Sequence, residues 1–119
     1  MKKILMVLMG LEIGGAETHV VELSLTLKKR GWEVLVASNG GVYEKTLEEH
    51  GIRHFSVPTH TRSPKMMRRA YVALEQIIRQ EKPDIVHAHA RIPAFLCGKL
   101  QKKLGFPFVT TAHGVFRIN

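Results

Sequence analysis

The sequence predicts an α/β domain: a doubly wound parallel sheet of about five strands with helices on both faces. Three observations predict it. Apolar runs such as Ile4 to Met9 have the pattern of strands buried on both sides. Amphipathic segments of helical period lie between these runs. The order strand, helix, strand, helix holds from one end of the chain to the other, with a glycine-rich loop after the first strand.

Ile4 to Met9 reads as the first strand, and Gly10-Leu11-Glu12-Ile13-Gly14-Gly15 as the loop. From Ala16 to Arg30 the period is helical, with Ala16, Val20, Leu23 and Leu27 on one stripe. Glu17 in the first turn and Lys28-Lys29-Arg30 in the last suit the helix dipole, and Gly31 stops the helix. Glu33 to Ser38 is the second strand. A short helix over Val42 to His50 closes at Gly51, and Arg53 to Val57 is the third strand, ended by Pro58. Ser63-Pro64 pairs an N-cap with proline at the first helical position. That helix runs to Gln80 with Met67, Tyr71, Leu74 and Ile78 on its buried stripe, and Lys82-Pro83 ends it. Asp84 to Ala88 is the fourth strand. A helix starts at Pro93 and stops at Gly105, and Phe106 to Ala112 is the fifth strand. Crossovers between parallel strands should be right-handed. Repeats, low-complexity stretches and internal linkers are absent from the sequence. Doubly wound sheets commonly carry about six strands, so the chain reads as a fragment of a larger protein.

The 119 residues allow one domain. A composition 45% hydrophobic and 24% charged excludes a disordered chain, a collagen and a multi-span membrane protein. The single cysteine, Cys97, excludes an intrachain disulfide and suits a reducing, cytoplasmic compartment. Asp84 is the only aspartate, which excludes EF-hands, Asp-x-Asp metal sites and aspartyl dyads. The apolar run after Lys2-Lys3 is only six residues long, shorter than the roughly 7–15 of a secretory signal.

The net charge of +8 is uneven. Residues 1–60 hold seven Lys/Arg and seven Glu, whereas residues 61–119 hold eleven Lys/Arg against Glu75, Glu81 and Asp84. A basic half calls for an anionic partner such as a phosphorylated ligand or an acidic membrane, or else is a solvated face. Arg62, Lys65, Arg68 and Arg69 surround one helix start, with Met66 and Met67 between them. This combination has the character of a basic-amphipathic membrane contact, peripheral at the inner membrane face. The basic half lacks interleaved aromatics and any nucleic-acid recognition motif, so no nucleic acid is expected as a partner.

In doubly wound sheets, ligands bind beyond the carboxyl ends of the strands, where the strand order reverses. The glycine loop lies there. Glycines let the backbone approach a ligand closely, and the helix start at Gly15 offers free N–H groups to a phosphate; the alternative is a plain tight turn. The loop is not G-x-G-x-x-G, and no acidic residue ends the second strand at Ser38, which disfavours a dinucleotide dehydrogenase. Ala16-Glu17 stands where a P-loop needs Lys-Ser/Thr. His87 and His89 close the fourth strand and His113 the fifth. If the order reverses between strands one and four, Gly15, His89 and His113 line one crevice. Gly114 then leaves the His113 imidazole accessible; the alternative is a buried, hydrogen-bonded strand-end histidine. His87-x-His89 has a spacing that metals use, but no metal is expected with no further ligand nearby in sequence. His19, His50, His54 and His60 read as surface or helix-face residues, Glu48-Glu49 as a solvated pair, and Cys97 and Trp32 as packing residues.

Four motifs now stand in register: Gly14-Gly15-Ala16-Glu17-Thr18-His19-Val20, Leu27-Lys28-Lys29-Arg30-Gly31-Trp32-Glu33-Val34, Lys82-Pro83-Asp84-Ile85-Val86-His87-Ala88-His89 and Thr110-Thr111-Ala112-His113-Gly114. Together they resemble the N-terminal domain of family-4 glycosyltransferases over the whole chain. The resemblance implies a GT-B architecture, in which two Rossmann-like domains face a cleft. It implies that this domain binds the acceptor, a glycan or lipid-linked sugar, while a C-terminal domain with a Glu-x7-Glu motif binds a nucleotide-sugar. It implies donor-phosphate contact at Gly15 and a catalytic place for His113 near the transferred sugar; Gly14, His89 and Gly114, which stand beside them in the crevice reading, are expected as further donor-phosphate or substrate contacts. The reaction it implies is retaining and metal-independent, with no cofactor beyond the nucleotide-sugar substrate.

The second domain's motif is absent from this sequence, so the isolated chain is expected to be inactive and to need that domain in a longer chain or as a separate one. Two other classes compete. One is a non-catalytic module from a truncated gene that binds a membrane or a protein partner. The other is a nucleotide-binding regulator of another Rossmann type.

Overall fold

Among residues 2–11 and 15–111, which the computed structural model describes, five strands alternate with four helices. In chain order they are β1 (Lys3–Val7), α1 (Gly15–Lys29), β2 (Glu33–Ser38), α2 (Glu44–Glu49), β3 (Arg53–Ser56), α3 (Pro64–Glu81), β4 (Ile85–His89), α4 (Arg91–Leu104) and β5 (Phe108–Thr111). The strands form one parallel sheet in the order β3-β2-β1-β4-β5. This is the Rossmann-like α/β fold that the alternating pattern predicts.

β1 occupies the centre, and its alternation divides the interior in two. Leu5 and Val7 join Val86, Ala88, Leu74, Leu96 and Leu100 under α3 and α4. Ile4, Met6 and Leu8 join Val20, Val21, Val34, Val36 and Leu47 under α1 and α2. Both faces of the sheet are therefore covered, as the continuous apolar runs require.

Several boundaries move for physical reasons. β1 stops at Val7 instead of Met9, yet Leu8 and Met9 still bond the end of β2 and the residue after it, through Leu8 N–H to the Ala37 carbonyl and Asn39 N–H to the Met9 carbonyl. α4 starts at Arg91, two residues before Pro93. Pro93 is thus in the first turn, where a missing N–H leaves no intrahelical bond unmade. β5 starts at Phe108 because Pro107 has no N–H to donate, although its carbonyl accepts Val86 N–H. On α3 the fully buried line is Ala70, Leu74 and Ile78, while Met67 and Tyr71 pack only partly against the core. α1 ends in a Schellman arrangement: Gly31 at φ +94°, with Trp32 N–H on the Leu27 carbonyl and Gly31 N–H on the Lys28 carbonyl.

The amino edge of the sheet gathers opposite charges. Arg53 pairs with Glu33 at 3.0 Å and also with Glu81, which Lys3 Nζ reaches at 3.3 Å. The Arg53 guanidinium holds the Glu81 carboxyl below the usual carboxylate range, with burial opposing. The Asp84 carboxylate accepts the Lys3 backbone N–H at 2.7 Å.

Candidate functional site

The sheet order reverses between β1 and β4, so the chain leaves their carboxyl ends in opposite directions and opens a crevice there. α1 begins at Gly15 on this edge, and β4 ends at His89 on the same edge. The structure therefore brings Gly15 and His89 to one end of the sheet. Gly14, His113 and Gly114 lie outside the described residues.

β4 and β5 place their side chains by the period of two. Val86 and Ala88 face α3 and α4, so His87 and His89 face the α1 side. Their rings lie 4.0 Å apart between centroids, tilted by 34°. His89 is only 2% exposed, and His87 Nε2 hydrogen-bonds Thr111 Oγ1 at 2.6 Å. Thr111 thereby ties the end of β5 to the face that carries both histidines.

Between β4 and α4, Ala90 adopts φ +79° and ψ 169°. This region is essentially reserved for glycine, so the turn is strained. Its N–H reaches the Thr111 carbonyl at 3.2 Å, and its carbonyl accepts Ala94 N–H at 3.1 Å. No side chain caps α4, whose N-terminus points to the same edge as that of α1.

The start of the glycine loop is anchored from three sides. Leu11, fully buried, donates its N–H to the Gly40 carbonyl and accepts Tyr43 N–H. Tyr43 Oη is 2.8 Å from Thr18 Oγ1, which joins α1 to the segment before α2. Thr59, also fully buried, donates its hydroxyl to the Leu8 carbonyl at 2.6 Å.

A cluster missed by the sequence reading supports that segment. Ser38, fully buried at the end of β2, accepts Gly40 N–H at 3.0 Å and shares a hydrogen bond with His54 Nε2 at 2.7 Å. His54 Nδ1 lies 3.3 Å from Glu44 Oε1, and Glu44 Oε2 accepts Gly41 N–H at 2.9 Å. Burial pushes the His54 imidazole below its usual value, and Glu44 opposes this in part. The Ser-His-Glu sequence of contacts resembles a nucleophilic triad in outline only. A hydroxyl with no exposed surface, already accepting a backbone N–H, offers nothing to a substrate. The cluster instead fixes the Gly40-Gly41 backbone on which Leu11 rests. His54 is thus corrected from a surface or helix-face residue to a strand residue whose side chain is 7% exposed. Its one sequence signal is its place on a short strand, where period two turns it opposite to Phe55.

Arg62, Lys65, Arg68 and Arg69 are all exposed around the start of α3. His19, His50 and His60 are exposed, as are Glu48 and Glu49. Cys97 is fully buried and its thiol is pushed up to about 12 by burial, which makes it a packing residue. Among the described residues, no three His, Cys, Asp or Glu side chains gather as metal ligands, and no helix is long and apolar enough to cross a membrane.

A glycosyltransferase from Rickettsia africae superposes with a TM-score of 0.81 at 26% identity, over 99% of this chain and 31% of that one. MurG from Acinetobacter baumannii gives 0.74 at 19% identity, over 96% of this chain and 37% of that one. A hydrogenase C-terminal domain from Pyrococcus furiosus gives 0.72 at 16% identity, over 92% of this chain and 91% of that one, so the fold by itself does not specify sugar transfer. The chain spans about a third of the length of the two former proteins. No curated protein matches the sequence. The family description Glycosyltransferase Family 4 matches residues 13–119, and the chain belongs to this family.

Proposed function

We propose that the chain is the acceptor-side domain of a glycosyltransferase that moves a sugar from a nucleotide-sugar to a glycan or lipid-linked acceptor. The observation that carries this reading is the reversal of strand order between β1 and β4, which puts the start of α1 and the end of β4 at one crevice. At that start, Gly14 and Gly15 offer N–H groups and the positive end of the helix dipole to the donor phosphates. His89, only 2% exposed, backs the carboxyl end of β4, and the proposed contacts are Gly114 with substrate and His113 with the transferred sugar, where its imidazole supports the charge that develops as the glycosidic bond breaks. The leaving diphosphate needs cations from a second wall. That wall is a donor domain, in the same chain or a separate one, and the 119 residues alone are inactive. No metal or cofactor enters this scheme. The place proposed is the cytoplasm, with an anionic membrane face as a partner.

Calorimetric titration of the 119-residue chain with UDP-sugars, GDP-sugars and NAD tests the nucleotide part, and kinetics of a two-domain enzyme containing the chain test the transfer. Binding of NAD alone would favour another Rossmann-type regulator. Turnover by the isolated chain would overturn the need for a second wall.

A further inference from the structure

One segment, between β2 and α2, holds the chain at the start of the glycine loop and again in the helix that follows it. Past Val7, the last residue of β1, the pairing with β2 goes on as a ladder. Leu8 N–H reaches the Ala37 carbonyl at 3.0 Å, Asn39 N–H the Met9 carbonyl at 3.0 Å, Leu11 N–H the Gly40 carbonyl at 2.9 Å and Tyr43 N–H the Leu11 carbonyl at 3.0 Å. Tyr43 is the last rung. Its ring packs against the cluster that holds Val20 and Leu47. Its hydroxyl crosses to Thr18 Oγ1, 2.8 Å away in the first turn of α1. One residue therefore holds the loop's start by its backbone and the helix beyond the loop by its side chain.

The segment that carries Tyr43 is itself pinned. Ser38 Oγ accepts Gly40 N–H, Glu44 Oε2 accepts Gly41 N–H, and the His54 ring lies between Ser38 and Glu44. Leading N–H groups of a helix have no intrahelical partner, so a first turn frays most readily. Val20 is 1% exposed and fixed by the core. The hydroxyl contact carries that hold back from Val20 to Thr18. A phosphate site made of backbone N–H groups is only as precise as the backbone that supports it. We propose that Tyr43 is a positioning residue of the donor site: it fixes Leu11 relative to the first turn of α1, so that the loop between them presents its N–H groups to the donor diphosphate in one arrangement. This rests on the donor-phosphate role given above to Gly14 and Gly15 and adds the residue that sets their geometry.

The test is Tyr43→Phe, which removes the hydroxyl and keeps the ring, with Thr18→Val as the change from the other side. Ile78→Val, a small loss from the buried line of α3, is the control for general loss of stability. Amide hydrogen exchange is followed in the 119-residue chain, and the KM for UDP-sugars and GDP-sugars in a two-domain enzyme that contains it. Exchange across residues 12–22 should rise several-fold in Tyr43→Phe and in Thr18→Val, with β1 and α3 unchanged. The donor KM should rise about two- to tenfold, the span of one net hydrogen bond. The double variant should be no worse than either single one, since both remove the same contact. Ile78→Val should leave loop exchange and donor KM at the parent's values. Circular dichroism verifies folding. Unchanged exchange across residues 12–22 in Tyr43→Phe overturns the proposal, and so does an equal rise in Ile78→Val. So does a donor KM that stays at the parent's value, because the contact then steadies a loop the donor does not use. A parent enzyme that transfers no sugar overturns the donor reading itself, and the exchange comparison still decides whether Tyr43 holds the loop.

Discussion

Ala90→Gly should stabilise the protein. At φ +79° and ψ 169° the Ala90 Cβ crowds its own backbone, and the conformation persists because β4 and α4 fix both sides and Thr111 and Ala94 hold its backbone bonds. A residue held in this region costs about 1–3 kcal/mol. Glycine relieves that cost, while its freer unfolded state returns roughly 0.4–1 kcal/mol of it. The net gain is about 0.5–2 kcal/mol, or roughly 2–10 °C in Tm for a domain of this size. Thermal and urea unfolding followed by circular dichroism measures it. Lys82→Gly is the comparison, because Lys82 at φ 49° and ψ 58° occupies the ordinary left-handed well that ends α3. Its gain should be the smaller of the two. A lower Tm for Ala90→Gly, or a gain no larger than that of Lys82→Gly, would show that the turn after β4 is relaxed and refute the reasoning.

The other expectations concern the core, the loop support, pH and the crevice. Leu74→Ala empties a fully buried position under α3 and should cost about 2–5 kcal/mol in chemical denaturation. Gly40→Ala forces a side chain into φ +98° and against Glu44 Oε2, at a cost of roughly 1–3 kcal/mol; adding Glu44→Ala should recover the collision but not the backbone part. Because burial lowers the His54 value in the folded state, the neutral ring contributes stability above the unfolded value of about 6.5, and that stability is lost as pH falls below it. Urea midpoints between about pH 7 and pH 5 should therefore decline less for His54→Gln than for the parent. In a two-domain enzyme that contains this chain, His113→Ala should lower turnover by roughly a hundredfold with nucleotide affinity kept, and Gly15→Val should weaken both. Near-normal turnover in His113→Ala would remove that residue from the site.

The legible features were those written in one period or one residue type. β2 spans Glu33–Ser38, as its apolar run predicts, because both faces are buried along its length. α1 and its Gly31 stop were equally plain, since the stop needs a positive φ that glycine supplies. Polar contacts between distant segments left no such trace. Ser38, Glu44 and His54 meet only because β2 and β3 are neighbours and α2 crosses back between them. Nothing in their spacing distinguishes them from a solvated serine, glutamate and histidine. The Ala90 strain was hidden for a similar reason. It lies in a backbone angle imposed by the passage from β4 to α4, where the sequence shows only an ordinary alanine.

The central place of β1 has a consequence for synthesis. Leu5 and Val7 emerge first, and β2 and β3 can join one edge of β1 soon after. The other edge waits for Ile85–His89, and its apolar cover waits for α3 and α4. At ordinary translation rates the interval between Ser56 and His89 lasts about 2–7 s. For that time the nascent chain presents an open strand edge, and the hydrophobic face stays only partly covered until α4 follows. Folding of the first half is therefore a waiting state, and its capture by chaperones or by another nascent copy competes with the arrival of β4.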